Sequence, residues 1–95
     1  MTTQAHFTIE EAREVAERIG IDWLEAEFHL EEFRAGMDVE LEHGSNDPRT
    51  NVTNDDPVLT GKIAWAHLLE LPDYYTRLAV MEQEGEAERE KTSNG

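Results

Sequence analysis

The chain has 95 residues, enough for one domain near the lower limit of what a single hydrophobic core stabilises unaided. It contains no cysteine, which excludes disulfides, iron–sulfur clusters and thiolate zinc sites. Twenty-two acidic residues against eight basic ones give a formal net charge of −14. Such a surface repels phosphate and anionic lipid, so neither nucleic acid nor a membrane is expected as a partner.

The opening stretch MTTQAHFTIEEA lacks a basic region followed by an apolar run, and the most apolar segment, IAWAHLL, is far shorter than a membrane span. The expected class is a cytoplasmic protein. The basic residues include only two lysines, Lys62 and Lys91. An acid-rich, lysine-poor surface fits a protein adapted to high salt, where screening weakens self-repulsion. A surface that imitates DNA is the competing explanation of the charge.

In FTIEEAREVAERIG, Thr8 followed three residues later by Glu11 has the spacing of a capping box. Phe7 and Ala12 stand at the positions of a hydrophobic staple. Ile9, Ala12, Val15, Ala16 and Ile19 share one helical face, and Gly20 is suited to a left-handed helix stop. A first helix is predicted over roughly 9–19. Asp22 can cap a short turn through Trp23 and Leu24, whose bulk would cover one end of the core.

A second helix is predicted over roughly 29–43, with Leu30, Phe33, Met37 and Leu41 inward and Glu31, Glu32, Asp38 and Glu42 mostly toward water. Gly36 inside it lowers helix propensity by about 1 kcal/mol relative to alanine and suggests the close approach of another helix. Gly44 ends it. Asp56 before Pro57 restarts a helix over roughly 57–70, with proline at the first position, where it loses no hydrogen bond. Leu59, Ile63, Trp65, Ala66 and Leu69 make this helix apolar on almost every side, as a central helix would be. After Pro72 a fourth helix is predicted over roughly 73–84, with Tyr74 or Tyr75, Leu78 and Met81 inward. The polar stretch 85–95 is expected to be a disordered acidic tail. No run of β-branched alternation occurs, so the fold class is all-α, a compact bundle of four helices in one domain with a long ordered loop, 44–56.

The segments FTIEEAREVAERIGIDW, FRAGMDVELEHG and DPRTNVTNDDPVLTGKIAWAHLLELPDYYTRL resemble a domain-of-unknown-function family of small proteins from bacteria and their viruses. The block from Glu40 to Leu78 carries the most specific part of the likeness. The resemblance implies an all-helical single domain and no particular activity.

Two groups of residues are candidates for chemistry. Glu40 and His43 stand as Glu-x-x-His on one helical face, the half-motif of di-metal carboxylate bundles, and His67 lies on the neighbouring helix. Together with loop carboxylates these three form the candidate metal site. Antiparallel helices would leave His43 about two turns from His67 unless the chain bends. Each histidine also has a structural explanation: His43 suits the negative end of the helix dipole, and His67 suits a buried hydrogen-bonded position. His6 and His29 read as surface or capping positions.

The loop TNVTNDD fails as a calcium-binding EF-hand in both registers. Starting at Asn51 puts Asp56 at the position of the invariant glycine and Lys62 at that of the glutamate; starting at Asp47 puts Arg49 and Val58 at ligand positions. Its Asn, Asp and Thr side chains are equally able to bond their own backbone. There is no nucleophile elbow and no phosphate loop, since Thr60-Gly61-Lys62 lacks the glycine-rich run. No cofactor is expected. The sequence therefore suggests a non-enzymatic interaction or accessory module that binds an unidentified protein through Asn51, Thr53, Asn54 and Asp55. The alternative is a metal-dependent protein using Glu40, His43 and His67.

Overall fold

The computed structural model describes residues 7–94, with side chains described through Glu90. His6, expected at the surface, lies outside the described residues. Four helices follow in order: α1, Ile9–Ile19; α2, Leu30–Glu40, continued by a single 3₁₀ turn, Leu41–His43; α3, Pro57–Glu70; and α4, Tyr74–Asn94. No strand occurs among the described residues, so the all-α bundle is the fold. None of these helices is long and apolar enough to cross a membrane.

The start of α1 is a reciprocal capping box. The Glu11 amide donates to the Thr8 hydroxyl at 3.1 Å, and the Thr8 amide donates to the Glu11 carboxylate at 2.9 Å. Gly20 closes the helix at φ +92°, a conformation that side chains with a Cβ adopt only with strain. Ala12, Val15 and Ala16 are buried, as their spacing requires. Ahead of the helix, Phe7 is tied to α2: its amide donates to Asp38 at 2.8 Å and its carbonyl accepts from Arg34, which also bridges Asp38 at 2.7 Å. Asp38 is therefore not a water-facing residue, as expected, but part of this tie.

The 21–29 segment contributes Ile21 and Phe28 to the core. Asp22 receives the Leu24 amide at 2.9 Å and shapes the expected turn. Trp23 packs edge-on against Phe28 and Phe33, with ring centroids 5.6 and 6.5 Å away. Leu24 does not cover the core; it is 96% exposed, because the turn that seats Trp23 aims the next side chain outward.

α2 is the central helix. Phe33 and Met37 are fully buried, and α2 packs on α1, α3 and α4. The expected continuous helix to His43 tightens after Glu40 into the 3₁₀ turn, closed by a bond from the Gly44 amide to the Leu41 carbonyl at 3.0 Å. At its start His29 occupies the N-cap position without a side-chain cap bond.

α3 begins as expected, with Asp56 accepting from the Val58 and Leu59 amides at 2.8 and 3.1 Å and Pro57 in the first turn. Its packing differs from expectation. The buried face is Thr60, Gly61, Ala64 and Leu68, whereas Leu59, Ala66 and Leu69 are exposed. Small residues on that face let α1 and α2 come close: a Cβ on Gly61 would lie 2.5 Å from Val15 Cγ1 and 3.3 Å from Phe33 Cζ. Three helices pack on α3 and leave its far face uncovered, so the large apolar residues there, Leu59 and Leu69, meet water.

α4 places Tyr75 in the core at 5% exposure, with Tyr74 and Leu78 partly buried beside it. Met81, expected inward, is 60% exposed, and every described side chain after Leu78 is exposed. The helix continues through Asn94, where an irregular tail was expected. The stretch lacks proline, and six of its ten residues over 85–94 are Glu, Ala, Arg or Lys, all good helix formers, which carry the helix on from a nucleus already docked.

The approach suggested by Gly36 is made by Tyr75. A Cβ at Gly36 would overlap the Tyr75 ring, 2.8 Å from Cδ2. Gly36→Ala therefore forces the ring off its seat, at about 1–3 kcal/mol for overpacking, against roughly 1 kcal/mol recovered in helix propensity. A lower melting temperature is expected by circular dichroism. Gly85→Ala, with open space around it, should instead raise helicity without lowering the transition.

Candidate functional site

The two candidate groups lie at the end of α2 and in the loop that follows. Glu40, the last residue of α2, is 5% exposed. Its Oε2 accepts a hydrogen bond from the Tyr75 hydroxyl at 2.7 Å. His67 Nε2 stands 3.7 Å from the same oxygen, and His43 Nε2 stands 3.9 Å from Oε1. The three candidate metal residues are thus brought together around the carboxylate. The 3₁₀ turn supplies the bend that a straight α2 would lack.

Both imidazole distances exceed those of a hydrogen bond. His67 is held chiefly by aromatic packing: its ring stacks on Tyr74 with centroids 4.3 Å apart and planes 8° from parallel, and meets Tyr75 edge-on at 6.1 Å. Its side chain is about one-third exposed, so the expected buried, hydrogen-bonded histidine is instead a half-exposed stacked one. Among the described residues no group of three or more His, Asp or Glu side chains is disposed to hold a metal ion. The oxygen nearest His67 already accepts the phenol. Burial, followed by the Glu40 carboxylate, pushes the Tyr75 phenol above its ordinary range, which keeps it a proton donor to Glu40.

A second carboxylate of α2 meets the same tyrosine. Glu32 Oε2 accepts from the backbone amides of Tyr75 and Thr76, each at 3.1 Å, and Oε1 accepts from the Thr76 hydroxyl at 3.0 Å. Glu32 thereby caps the first turn of α4 from a neighbouring helix, an arrangement favoured by the positive end of the helix dipole. Its expected role as a water-facing residue is corrected accordingly. The signal available in the sequence was the Glu32–Gly36–Glu40 spacing, one residue per turn along one face of α2.

The loop 44–56 is closed by its own side chains. The Val52 and Thr53 amides both donate to the His43 carbonyl, at 2.7 and 3.3 Å, which pins the middle of the loop to the end of the 3₁₀ turn. Asp55 accepts from the Ser45 amide at 2.9 Å and from the Ser45 hydroxyl. A Cβ at Gly44 would collide with that same Asp55 carboxylate, so the glycine makes room for the latch. Asn51 Oδ1 accepts the Asn54 amide at 2.8 Å, and the Thr53 hydroxyl accepts the Asp55 amide at 3.2 Å. Asn54 and Asp55 take φ of +52° and +65°, the left-handed region that Asn and Asp tolerate best among residues with a Cβ. Asp47 caps its own turn and pairs with Arg49 at 3.0 Å.

All four loop residues singled out for partner binding, Asn51, Thr53, Asn54 and Asp55, therefore hold the loop in shape, and Thr53 is buried at 2% exposure. Among the exposed residues of the loop is a large hydrophobic one not singled out from the sequence, Val52, at 71% exposure. The Ser45 hydroxyl, then the Ser45 amide, hold the Asp55 carboxyl below its usual range, and Arg49 does the same for Asp47.

A depressed carboxyl contributes fully above its ordinary pKa, and that contribution is lost as the pH falls through the folded value. The Ser45–Asp55 latch should thus remain closed at neutral pH and open only in acid below the usual aspartate range. Ser45→Ala should move the Asp55 carboxyl up toward the ordinary aspartate range in an NMR titration; an unmoved Asp55 would contradict the latch. Tyr75→Phe deprives buried Glu40 of its donor and should lower stability by about 1–3 kcal/mol. Tyr74→Phe, which removes no hydrogen bond to Glu40, should stay within roughly 0.5 kcal/mol of the wild type in the same urea titration.

Neither a curated protein nor a solved structure matches the chain. A family described as a protein of unknown function, DUF5661, matches residues 12–84, which include most of α1, all of α2 and α3, the loop and the start of α4. The chain belongs to the DUF5661 family.

Proposed function

We propose that this protein is a small non-enzymatic interaction module that recognises a protein partner through the loop 44–56 and the adjoining end of α2. The observation that carries the reading is the bracing of the loop around Val52. Its polar side chains close on one another and on the His43 carbonyl, and Val52 is left 71% exposed between Asn51 and the buried Thr53.

A single exposed apolar residue is ordinary on any protein. Val52 is distinguished by being held in one place. A loop ordered before binding loses less conformational freedom on association than a flexible one, so a small contact patch suffices for specificity. Asn51 and Asn54, exposed on either side, offer polar rim contacts around it. The net charge of −14 favours a partner with a basic surface and raises the rate of encounter with it.

Val52→Asp should leave stability within about 0.5 kcal/mol, as an exposed substitution does, and abolish affinity capture of the partner from extracts of the source cells. Partner recovery equal to that of the wild type, with an unchanged melting curve, would remove the loop from the binding surface. Asn54→Gly, which keeps the left-handed backbone, should retain capture better than Asn54→Val, which opposes it.

A further inference from the structure

An apolar cleft lies away from the loop, between the 20–28 segment and the second half of α3. Its volume is about 310 Å³, within the ~300–1,000 Å³ typical of ligand pockets. Ile21, Phe28 and Leu68 form its buried floor, and Trp65 and Leu69 stand along one wall, with Leu69 68% exposed. The opposite rim carries Asp22, Glu25 and Glu27, all exposed, and no lysine or arginine lines the cleft. None of these three carboxylates is in an ion pair with a cationic side chain among the described residues.

We infer that this cleft is a docking site for a cationic amphipathic segment of another protein, with apolar side chains seated beside Leu69 and Trp65 and lysines or arginines facing the carboxylate rim. This goes beyond the loop reading and does not depend on it. Charge complementarity selects the occupant. The chain's own α4 extension carries Glu82, Glu84, Glu86, Glu88 and Glu90, and would bring like charge to an acidic rim. A second copy brings another −14. A cationic segment meets three carboxylates that have no cationic side chain of their own, and its Arg or Lys groups can also stack on the Trp65 face. Without an apolar floor the rim would bind only counterions; without the rim the floor would not discriminate by charge.

The test uses the full chain, ¹⁵N-labelled, and two synthetic helical peptides with leucines on one face and either lysines or glutamates on the other. The lysine peptide should give a saturable shift of the Trp65 indole N–H and of amides in 21–28, and the glutamate peptide should not. Leu69→Glu should weaken the lysine peptide at least tenfold. That variant is more acidic than the wild type, so adhesion by charge alone would strengthen, and equal or tighter binding would overturn the proposal. Leu69 is exposed enough for the fold to survive, which the melting curve verifies. Glu25→Lys with Glu27→Lys should also weaken the lysine peptide at least tenfold. Equal binding of both peptides, absence of a saturable Trp65 shift, or self-association of the free protein that Leu69→Glu abolishes would each overturn it. Val52→Asp should bind the lysine peptide as the wild type does; a parallel loss would deny the cleft its independence from the loop.

Discussion

The seating of Tyr75 on α2 is the contact on which the arrangement of the bundle depends. Three consecutive turns of α2 present Glu32, Gly36 and Glu40 to it. Glu32 receives the backbone at the start of α4, Gly36 gives room for the ring, and Glu40 takes the hydroxyl. Tyr74, stacked on His67, and the partly buried Leu78 add to that hold, and beyond Leu78 the described side chains are exposed. An isolated helix in water is marginal, so a 21-residue helix with one docked turn owes its place to that turn. The same contact makes a buried carboxylate tolerable. Glu40 is 5% exposed, and its burial is acceptable because a phenol donates to it and two imidazoles stand within 4 Å.

A comparable economy governs the loop. Thirteen positions between two helices would ordinarily form a mobile connection, but here Ser45, Asp47, Asn51, Thr53 and Asp55 bond locally through their side chains. Two consecutive residues in the left-handed region are held there by the bonds on either side, and Gly44 is small because Asp55 sits against it. The particularity of TNVTND is thus accounted for by the geometry of closure. The same closure leaves Val52 exposed on a braced backbone.

The exposed apolar surface follows from the helix count. α3 offers small residues to α1 and α2 so that the backbones approach, and its large residues are left on the opposite side. Ordinarily such a face would be polar. Here Leu69 and Trp65 meet a segment bearing three carboxylates, which keeps the apolar surface bordered by charge. The high negative charge limits nonspecific association that an open apolar cleft would otherwise invite.

The sequence by itself determined the four helices and the capped ends of α1 and α3, though not the 3₁₀ turn after Glu40 or the length of α4. Thr8 with Glu11, Gly20, and Asp56 with Pro57 act through backbone groups only a few residues away, so their effect is the same in any tertiary setting. It also marked Glu40, His43 and His67 as candidates, though not the turn that brings them together, and pointed to Gly36 as a contact. Tertiary structure decided which faces are covered. Leu24, Leu69 and Met81 are as apolar as Phe33 and Met37, yet only the latter two are fully buried. Among twenty-two acidic residues the spacing of Glu32, Gly36 and Glu40 places them on one face, but the role of the two carboxylates is conferred by Tyr75, 43 and 35 residues later. Val52 was hidden for the same reason: whether a valine in a polar loop is buried or presented depends on where the loop's hydrogen bonds close, and they close on the carbonyl of His43.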